Sequence, residues 1–407
     1  MKKLKRVKLS TFIIFILLSV YSCSNDVELE NANIKTQENF VELSIAKEIA
    51  RVITFETKGN TNASKSITPI SITKTVKTID EIKNEKGKTS FYVINYNEGG
   101  FILLSADNRI QPILALSEEG KFTLDVNNNP LGLKFWINDA KKQITEIQNS
   151  SLKQSEKVKL VWERIQIIPG TEINSGKFEE PEPGDPGDCN EHSVTYIKEP
   201  LLSSKWFQSG GFNDALPYIT CSGTNFQVLT GCVPIAMAQV MKYHEYPISY
   251  NWSLMPLTYG TTTTANFIED IHNAIGTVNN QWPEYTCTAT NVSSTDVNIG
   301  TVLKSQFNYS SASYGNYDRH IVINNISANR PVILRGDDGS VGHMWVCDGY
   351  QTYTYYFDNC SSIRYLYFNM NWGWQNGDSN GWFAFDNFNP DIYNFNNDKK
   401  MIYNIIP

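Results

Sequence analysis

Thr230-Gly231-Cys232-Val233-Pro234-Ile235-Ala236-Met237-Ala238-Gln239-Val240-Met241-Lys242-Tyr243-His244-Glu245-Tyr246-Pro247 is the stretch that decides the fold. Small and straight-chain residues from Val233 onward favour helix. Pro234 is tolerated in a first turn, where its missing N–H is not needed, and Pro247 stops the run. Cys232 therefore heads a helix. Unpaired N–H groups and the helix dipole stabilise a thiolate there, the nucleophilic form of cysteine. Gly231 lets another backbone or a substrate come close. A buried structural cysteine on a core helix fits the same position equally well.

A thiol nucleophile needs a base, and histidine suits neutral pH. The chain has five histidines. His192 lies beside an acidic linker, and His272 and His320 sit in polar segments, as solvated or structural groups. His244 is about 18 Å along the same helix at 1.5 Å per residue, out of reach of Cys232. His343 opens the strand-like Gly342-His343-Met344-Trp345-Val346-Cys347-Asp348-Gly349-Tyr350, after the strand Pro331 to Arg335 and a Gly/Asp loop. Framed by glycines, it is placed to face a cleft, or to serve as a structural histidine at a strand end. Phe368-Asn369-Met370-Asn371-Trp372-Gly373-Trp374 reads as a strand ending in two tryptophans, followed by a closing strand from Gly381 to Phe385. These residues are either an aromatic sheet core or, through Asn371 or Trp372, a support that orients and shields an imidazole. Upstream, Lys205-Trp206-Phe207-Gln208 offers a side-chain amide in a turn-rich stretch.

Around this centre the chain is heterogeneous. It has 407 residues, 41% hydrophobic and 19% charged, enough apolar material for two or three packed domains. The net charge of −7, with no basic cluster, argues against nucleic acid as a partner. Seven cysteines without a C-x-x-C pair suggest neither a disulfide scaffold nor a zinc site; no metal or other cofactor is expected. Lys2, Lys3, Lys5, Arg6 and Lys8 precede an apolar run from Phe12 to Leu18, too short to span a membrane. Its end, Val20-Tyr21-Ser22-Cys23, resembles a bacterial lipobox, which makes Cys23 a lipidation site. An ordinary secretory signal cleaved after Ser22 is the alternative. Either way the protein is exported, on the first reading as an outer-membrane or cell-surface lipoprotein. Residues 1–22 are read as signal, 23–40 as tether, and 41–178 as an α+β domain. That domain has a helix over Val41–Thr54, strands at Phe91–Tyr96, Gly100–Ser105 and Pro112–Ser117, and a helix from Leu131 to about Ile147. The Pro/Gly/acid run at 179–189 is a linker, and 190–407 is a second, aromatic-rich domain holding seven of the nine tryptophans.

The order Gln208, Cys232, His343, Asn371-Trp372 resembles papain-like cysteine peptidases, and the details resemble the streptopain family. The marks are Trp206-Phe207-Gln208, Gly231 to Pro247, Gly342 to Gly349, and Asn371 to Trp374; Phe91–Ile94 and Gly99–Asp107 are similar to that family's propeptide. The resemblance implies an α+β papain-like catalytic domain behind a small prodomain with an antiparallel sheet. It implies a zymogen of a cysteine endopeptidase acting on protein or peptide substrates, with its own prodomain as intramolecular inhibitor. Cys232 would be the nucleophile and His343 its imidazolium partner. Gln208 and the Cys232 N–H would form the oxyanion hole, and Trp372 would cover the histidine. Asn371, Gly231, Gly342 and Trp374 would support the site. Pro234, Ile235 and Gln375-Asn376 depart from the family pattern, as does a longer segment between His343 and Asn371 whose tyrosines suit an extended hairpin. Because both parts of the exported chain are acidic, an apolar, aromatic contact between them is expected. The competing reading is a surface lipoprotein that binds peptide or glycan, its peptidase-like site idle.

Overall fold

The computed structural model describes residues 39–57, 70–123, 131–163, 165, 192–280, 282–292, 299–337, 342–357, 361–385 and 399–407. Cys23, most of the tether and the 179–189 linker lie outside them. The described residues belong to one compact unit, 36–407.

In the first part, helix α1 (Leu43–Val52) and a short hairpin, β1 (Thr54–Thr57) and β2 (Ile70–Thr73), precede four antiparallel strands. These are β3 (Val76–Lys83), β4 (Thr89–Tyr96), β5 (Phe101–Ser105) and β6 (Ile113–Ser117), followed by α2 (Leu131–Asn149) and α3 (Glu156–Glu163). Every residue of β4 and β5 is buried, whereas β3 at the sheet edge keeps exposed positions. Continuous apolar runs such as Phe91–Ile94 mark strands covered on both faces.

The second part begins with β7 (His192–Lys198) and the hairpin β8 (Tyr218–Cys221) and β9 (Thr224–Gln227). Helices α4 (Cys232–His244) and α5 (Thr262–Asn279), the small hairpin β10 (Glu284–Tyr285) and β11 (Thr290–Asn291), and α6 (Ile299–Phe307) follow. The remaining elements are β12 (Ser311–Asn316), α7 (Arg319–Ser327), β13 (Val332–Asp337), β14 (Gly342–Tyr356), β15 (Ser362–Asn371), β16 (Gly381–Ala384) and β17 (Lys400–Ile406). The tyrosine-rich segment forms the expected long hairpin, with β14 and β15 paired from Val346↔Asn371 to Tyr356↔Ser362.

The sheet of the first part does not end there. It continues through β6 and β16 into the second part, giving eleven strands in the order β12-β17-β13-β14-β15-β16-β6-β5-β4-β3, with β7 on β14. Trp382↔Leu116 and Phe383↔Ala115 form the junction. The contact between the parts is aromatic, and this backbone pairing adds to it. Trp136 of α2 sits edge-on to Phe383 with ring centroids 4.9 Å apart and donates its indole N–H to Ala384 O at 2.8 Å. Phe135 tilts against Trp345 at 5.8 Å.

Side-chain alternation along β13 and β14 splits the interior in two. Ile333, Met344 and Val346 join the core around α4, α5 and α6. Val332, Leu334, Trp345 and Cys347 join the core shared with α2 and the first sheet.

Candidate active site

Helix α4 is buried from Cys232 through Lys242, as its lack of a polar stripe requires. Gly231 caps its N-terminus at φ 84°, ψ 157°, a conformation that favours glycine. A Cβ there would lie 2.9 Å from Thr290 O, so glycine is also needed for the close approach of β11. At the other end Glu245 turns left-handed, and the Lys242 ammonium ties Glu245 Oε1 (2.9 Å) to Trp252 O (2.8 Å).

The Cys232 thiol is buried in this form. Burial pushes it up from its ordinary value, against the backbone N–H groups of Met344, Cys232 and Val233, which favour the thiolate. The expectation that a helix N-terminus alone would lower this thiol is thus reversed while the site is covered, because desolvation of the anion outweighs the amide dipoles. The Met344 N–H places the sulfur at the residue directly after His343. His343 itself is buried and lies opposite Gly336 in the β13–β14 register.

Helix α2 covers the same strands. Phe135 packs where a Cβ on Gly336 would stand, 2.3 Å from its ring. Gly132 lies so close to Trp345 and Trp372 that a Cβ would meet their rings at 2.7 and 3.1 Å. His343 therefore stands between two helices. The thiol of α4 touches its chain neighbour, and Phe135 of α2 covers its cross-strand partner.

Gln208 is brought to the turn before Cys232 by its backbone, whose carbonyl accepts the Thr230 N–H at 3.0 Å. Trp372 is buried, donates its indole N–H to Ser379 O at 2.9 Å, and packs on Trp345 and Phe383 at 5.2 and 5.0 Å. Asn371 ends β15 among polar groups. Its amide donates to Ser204 O (3.0 Å) and Gln239 Oε1 (3.1 Å), and its oxygen accepts from Gln239 Nε2 (3.1 Å) and the Gly373 N–H (3.1 Å). These bonds tie the end of β15 to α4 through Gln239. Gly342 opens β14 opposite Asp337. Trp374 is half-buried and heads a short turn, its carbonyl accepting the Gly377 N–H at 3.0 Å.

Two residues of this frame were not singled out in the sequence. Gln239, fully buried two turns below Cys232, accepts the Trp206 N–H at 3.1 Å and the Ser204 hydroxyl at 3.3 Å, besides its bonds to Asn371. It joins α4, the Gln208 segment and the end of β15. A lone amide in an apolar helix was the available signal. Asp348 sits at the bulge in β14, where its carboxylate accepts the Leu202 N–H at 2.9 Å and its carbonyl the Leu201 N–H at 3.0 Å. Burial pushes its pKa up to about 7. Its position fixes the segment leading to Gln208.

Two other histidines serve structure. His272 is buried, and its ring Nδ1 lies 3.2 Å from the Tyr285 hydroxyl; burial lowers its pKa to about 4. His244 makes the same kind of contact with Tyr309 at 3.2 Å, and burial lowers it likewise to about 4. Cys221 and Cys287 form a disulfide, while Cys232 and Cys347 are free thiols. Among the described residues no cluster of His, Cys, Asp and Glu could hold a metal ion, and no helix is long and apolar enough to cross a membrane.

Comparison with known proteins follows the same division. The family profile described as Spi protease inhibitor matches residues 38–144, and that of the Peptidase C10 family matches 206–249 and 248–383. Thiol protease/hemagglutinin PrtT of Porphyromonas gingivalis is 25% identical over 347 residues, 75% of this chain; the chain spans only 35% of PrtT. Streptopain of Streptococcus pyogenes is 25% identical over 355 residues, covering 75% of this chain and 76% of streptopain. A solved fragment of Prevotella intermedia prointerpain A, in mutant form, superposes with a TM-score of 0.54 at 21% identity, over 81% of this chain and 99% of the fragment.

Proposed function

Because the chain belongs to the streptopain-like Peptidase C10 family of cysteine peptidases and carries an inhibitor-type propeptide, we propose that it is the latent form of an exported endopeptidase with Cys232 and His343 as its catalytic pair. The observation that carries this reading is the Cys232 thiol at the head of α4, against the backbone N–H of the residue after His343. In the working enzyme the Cys232 thiolate attacks the scissile carbonyl. The Cys232 N–H and the Gln208 amide hold the resulting oxyanion, donors of a kind worth roughly 10²–10³ in rate each. The His343 imidazolium protonates the leaving amine, and water then releases the acyl group with His343 as base.

Latency follows from α2. While Gly132 and Phe135 occupy the Trp345–Trp372–Gly336 surface, the neighbourhood of His343 is closed on that side. Removal of residues 41–178 by a cut in or near 179–189 lets water and substrate reach both groups, and the helix N-terminus then favours the thiolate. Residues 190–407 remain as the peptidase. At the other end, cleavage before Cys23 and its lipidation attach the exported protein to a membrane.

Iodoacetamide tests the assignment. Alkylation of Cys232 is expected to be slow in the full-length chain and rapid and pH-dependent after propeptide removal, with casein cleavage lost in Cys232→Ala. Equally slow labelling of Cys232 and Cys347 after removal would instead favour an idle, peptide-binding site. Retention of the Cys23→Ala chain in the membrane fraction would remove the lipid anchor from the reading.

A further inference from the structure

The turn that presents Cys232 is held from two sides, and we propose that Thr290, on the hairpin pinned by the Cys221–Cys287 disulfide, is a positioning residue for the nucleophile. This inference rests on Cys232 being the nucleophile. On one side of the turn the Thr230 N–H reaches Gln208 O at 3.0 Å. On the other, the Thr290 hydroxyl donates to Leu229 O, and the Thr290 backbone lies where a Cβ on Gly231 would be 2.9 Å from its oxygen. Residues 229–231 are thus clamped between the Gln208 segment and β11. The Cys232 N–H and the Gln208 amide, the two donors assigned to the oxyanion, keep their separation only while both clamps hold.

The hairpin has its own anchors. Tyr285 stands opposite Thr290 in register, and its hydroxyl meets His272 Nδ1 at 3.2 Å with the rings stacked at 5.9 Å. His272 belongs to the buried face of α5, so the pair fastens β10 to the helical core. The turn of the hairpin carries exposed Cys287, bonded to Cys221 at the end of β8. The chain from Cys221 to Cys232 therefore starts at a covalent tie to the hairpin and ends on that hairpin's side chain. A disulfide that served only to stabilise the fold would not require Thr290 to hold the carbonyl three residues before the thiol.

The test uses the full-length chain carried through maturation, with a fluorogenic peptide as substrate and kcat and KM measured separately. Thr290→Val keeps the shape and removes the hydroxyl. It is expected to lower kcat roughly ten- to a hundredfold with KM little changed, since displaced oxyanion donors act on the transition state. Thr290→Ser, which restores the hydroxyl, is expected to recover most of kcat. Cys221→Ser/Cys287→Ser is expected to move kcat in the same direction as Thr290→Val. Wild-type kcat in Thr290→Val, or a Thr290→Ser variant as slow as Thr290→Val, would overturn the proposal, and both readings stand even where the disulfide variant fails to fold. Cys232→Ala in parallel separates the two levels. Activity surviving in Cys232→Ala removes the nucleophile assignment and the brace with it, whereas unaffected Thr290 variants beside an inactive Cys232→Ala remove the brace alone.

Discussion

Replacing Gln239 by methionine removes the polar joint between α4, the Gln208 segment and β15 while keeping a long unbranched side chain. Gln239 is fully buried. Its oxygen accepts from Trp206 N, Ser204 Oγ and Asn371 Nδ2, and its nitrogen donates to Asn371 Oδ1. In Gln239→Met the Ser204 hydroxyl can rotate, and Asn371 keeps Ser204 O and the Gly373 N–H. The buried Trp206 N–H has no substitute. Leaving it dry costs about 1–3 kcal/mol, and the two lost bonds to Asn371 about 1 kcal/mol each, so the expected loss is roughly 3–5 kcal/mol. Equilibrium urea unfolding of the full-length chain measures it, in a Cys232→Ala background that prevents self-digestion. A double-mutant cycle with Asn371→Ala is expected to show about 1–3 kcal/mol of coupling. Additivity within about 0.5 kcal/mol would refute the view that the two amides act as one joint.

Other expectations follow from the same frame. Burial raises the Asp348 pKa to about 7, so the folded chain keeps it protonated at lower pH. The folded chain then binds a proton that the unfolded chain has lost, so this group's stabilising contribution is full at acid pH and declines by up to about 1.4 kcal/mol per unit as pH rises from its unfolded value toward 7. Asp348→Asn keeps an acceptor for the Leu202 N–H and should flatten that part of the melting-temperature profile; an unchanged slope would rule Asp348 out. Phe135→Ala should weaken propeptide docking by roughly 3–5 kcal/mol and speed activation, and an unchanged lag before activity would argue that α2 does not hold the enzyme latent. Salt should do little. Lys205–Glu119, at 3.8 Å, is exposed and Lys121–Asp378, at 3.7 Å, partly so, and such pairs contribute about 0–1 kcal/mol. The buried Lys399–Asp139 pair between the parts, at 2.9 Å, is screened little by salt. A chain cut within 179–189 should therefore co-elute as one particle in about 1 M NaCl, where the Debye length is near 3 Å; separation by salt would overturn the aromatic account of the interface. Gln208→Ala should lower kcat about 10²–10³-fold, and a normal kcat would take Gln208 out of the oxyanion hole.

Much of this was readable residue by residue. The bounds of α4 followed from Gly231, Pro234 and Pro247, strands β4, β5 and β6 of the first part from their apolar runs, and the β14–β15 hairpin from its alternating tyrosines, whereas β1, β2 and β3 were not read. The union of the two sheets was not readable. Strand pairing between β6 and β16 joins edges far apart in sequence, and Leu116 and Phe383 look the same in a sheet that ends as in one that continues. Gln239 was hidden for a related reason. A helix-forming glutamine becomes a joint only when Trp206 and Asn371, distant in the chain, arrive beside it.

The amino-acid order by itself placed the candidate groups. A cysteine at a helix head, a histidine at a strand start and an amide upstream are local facts, set by propensity, capping and spacing. Tertiary structure decided their state. The thiol is raised rather than lowered because the core packed around α4 excludes water from it, Asn371 is tied to α4 through Gln239, and Gly231 is closed in because β11 lies on top of it. Desolvation and long-range contact depend on what the rest of the chain packs against a residue, and no window of neighbouring residues contains that information.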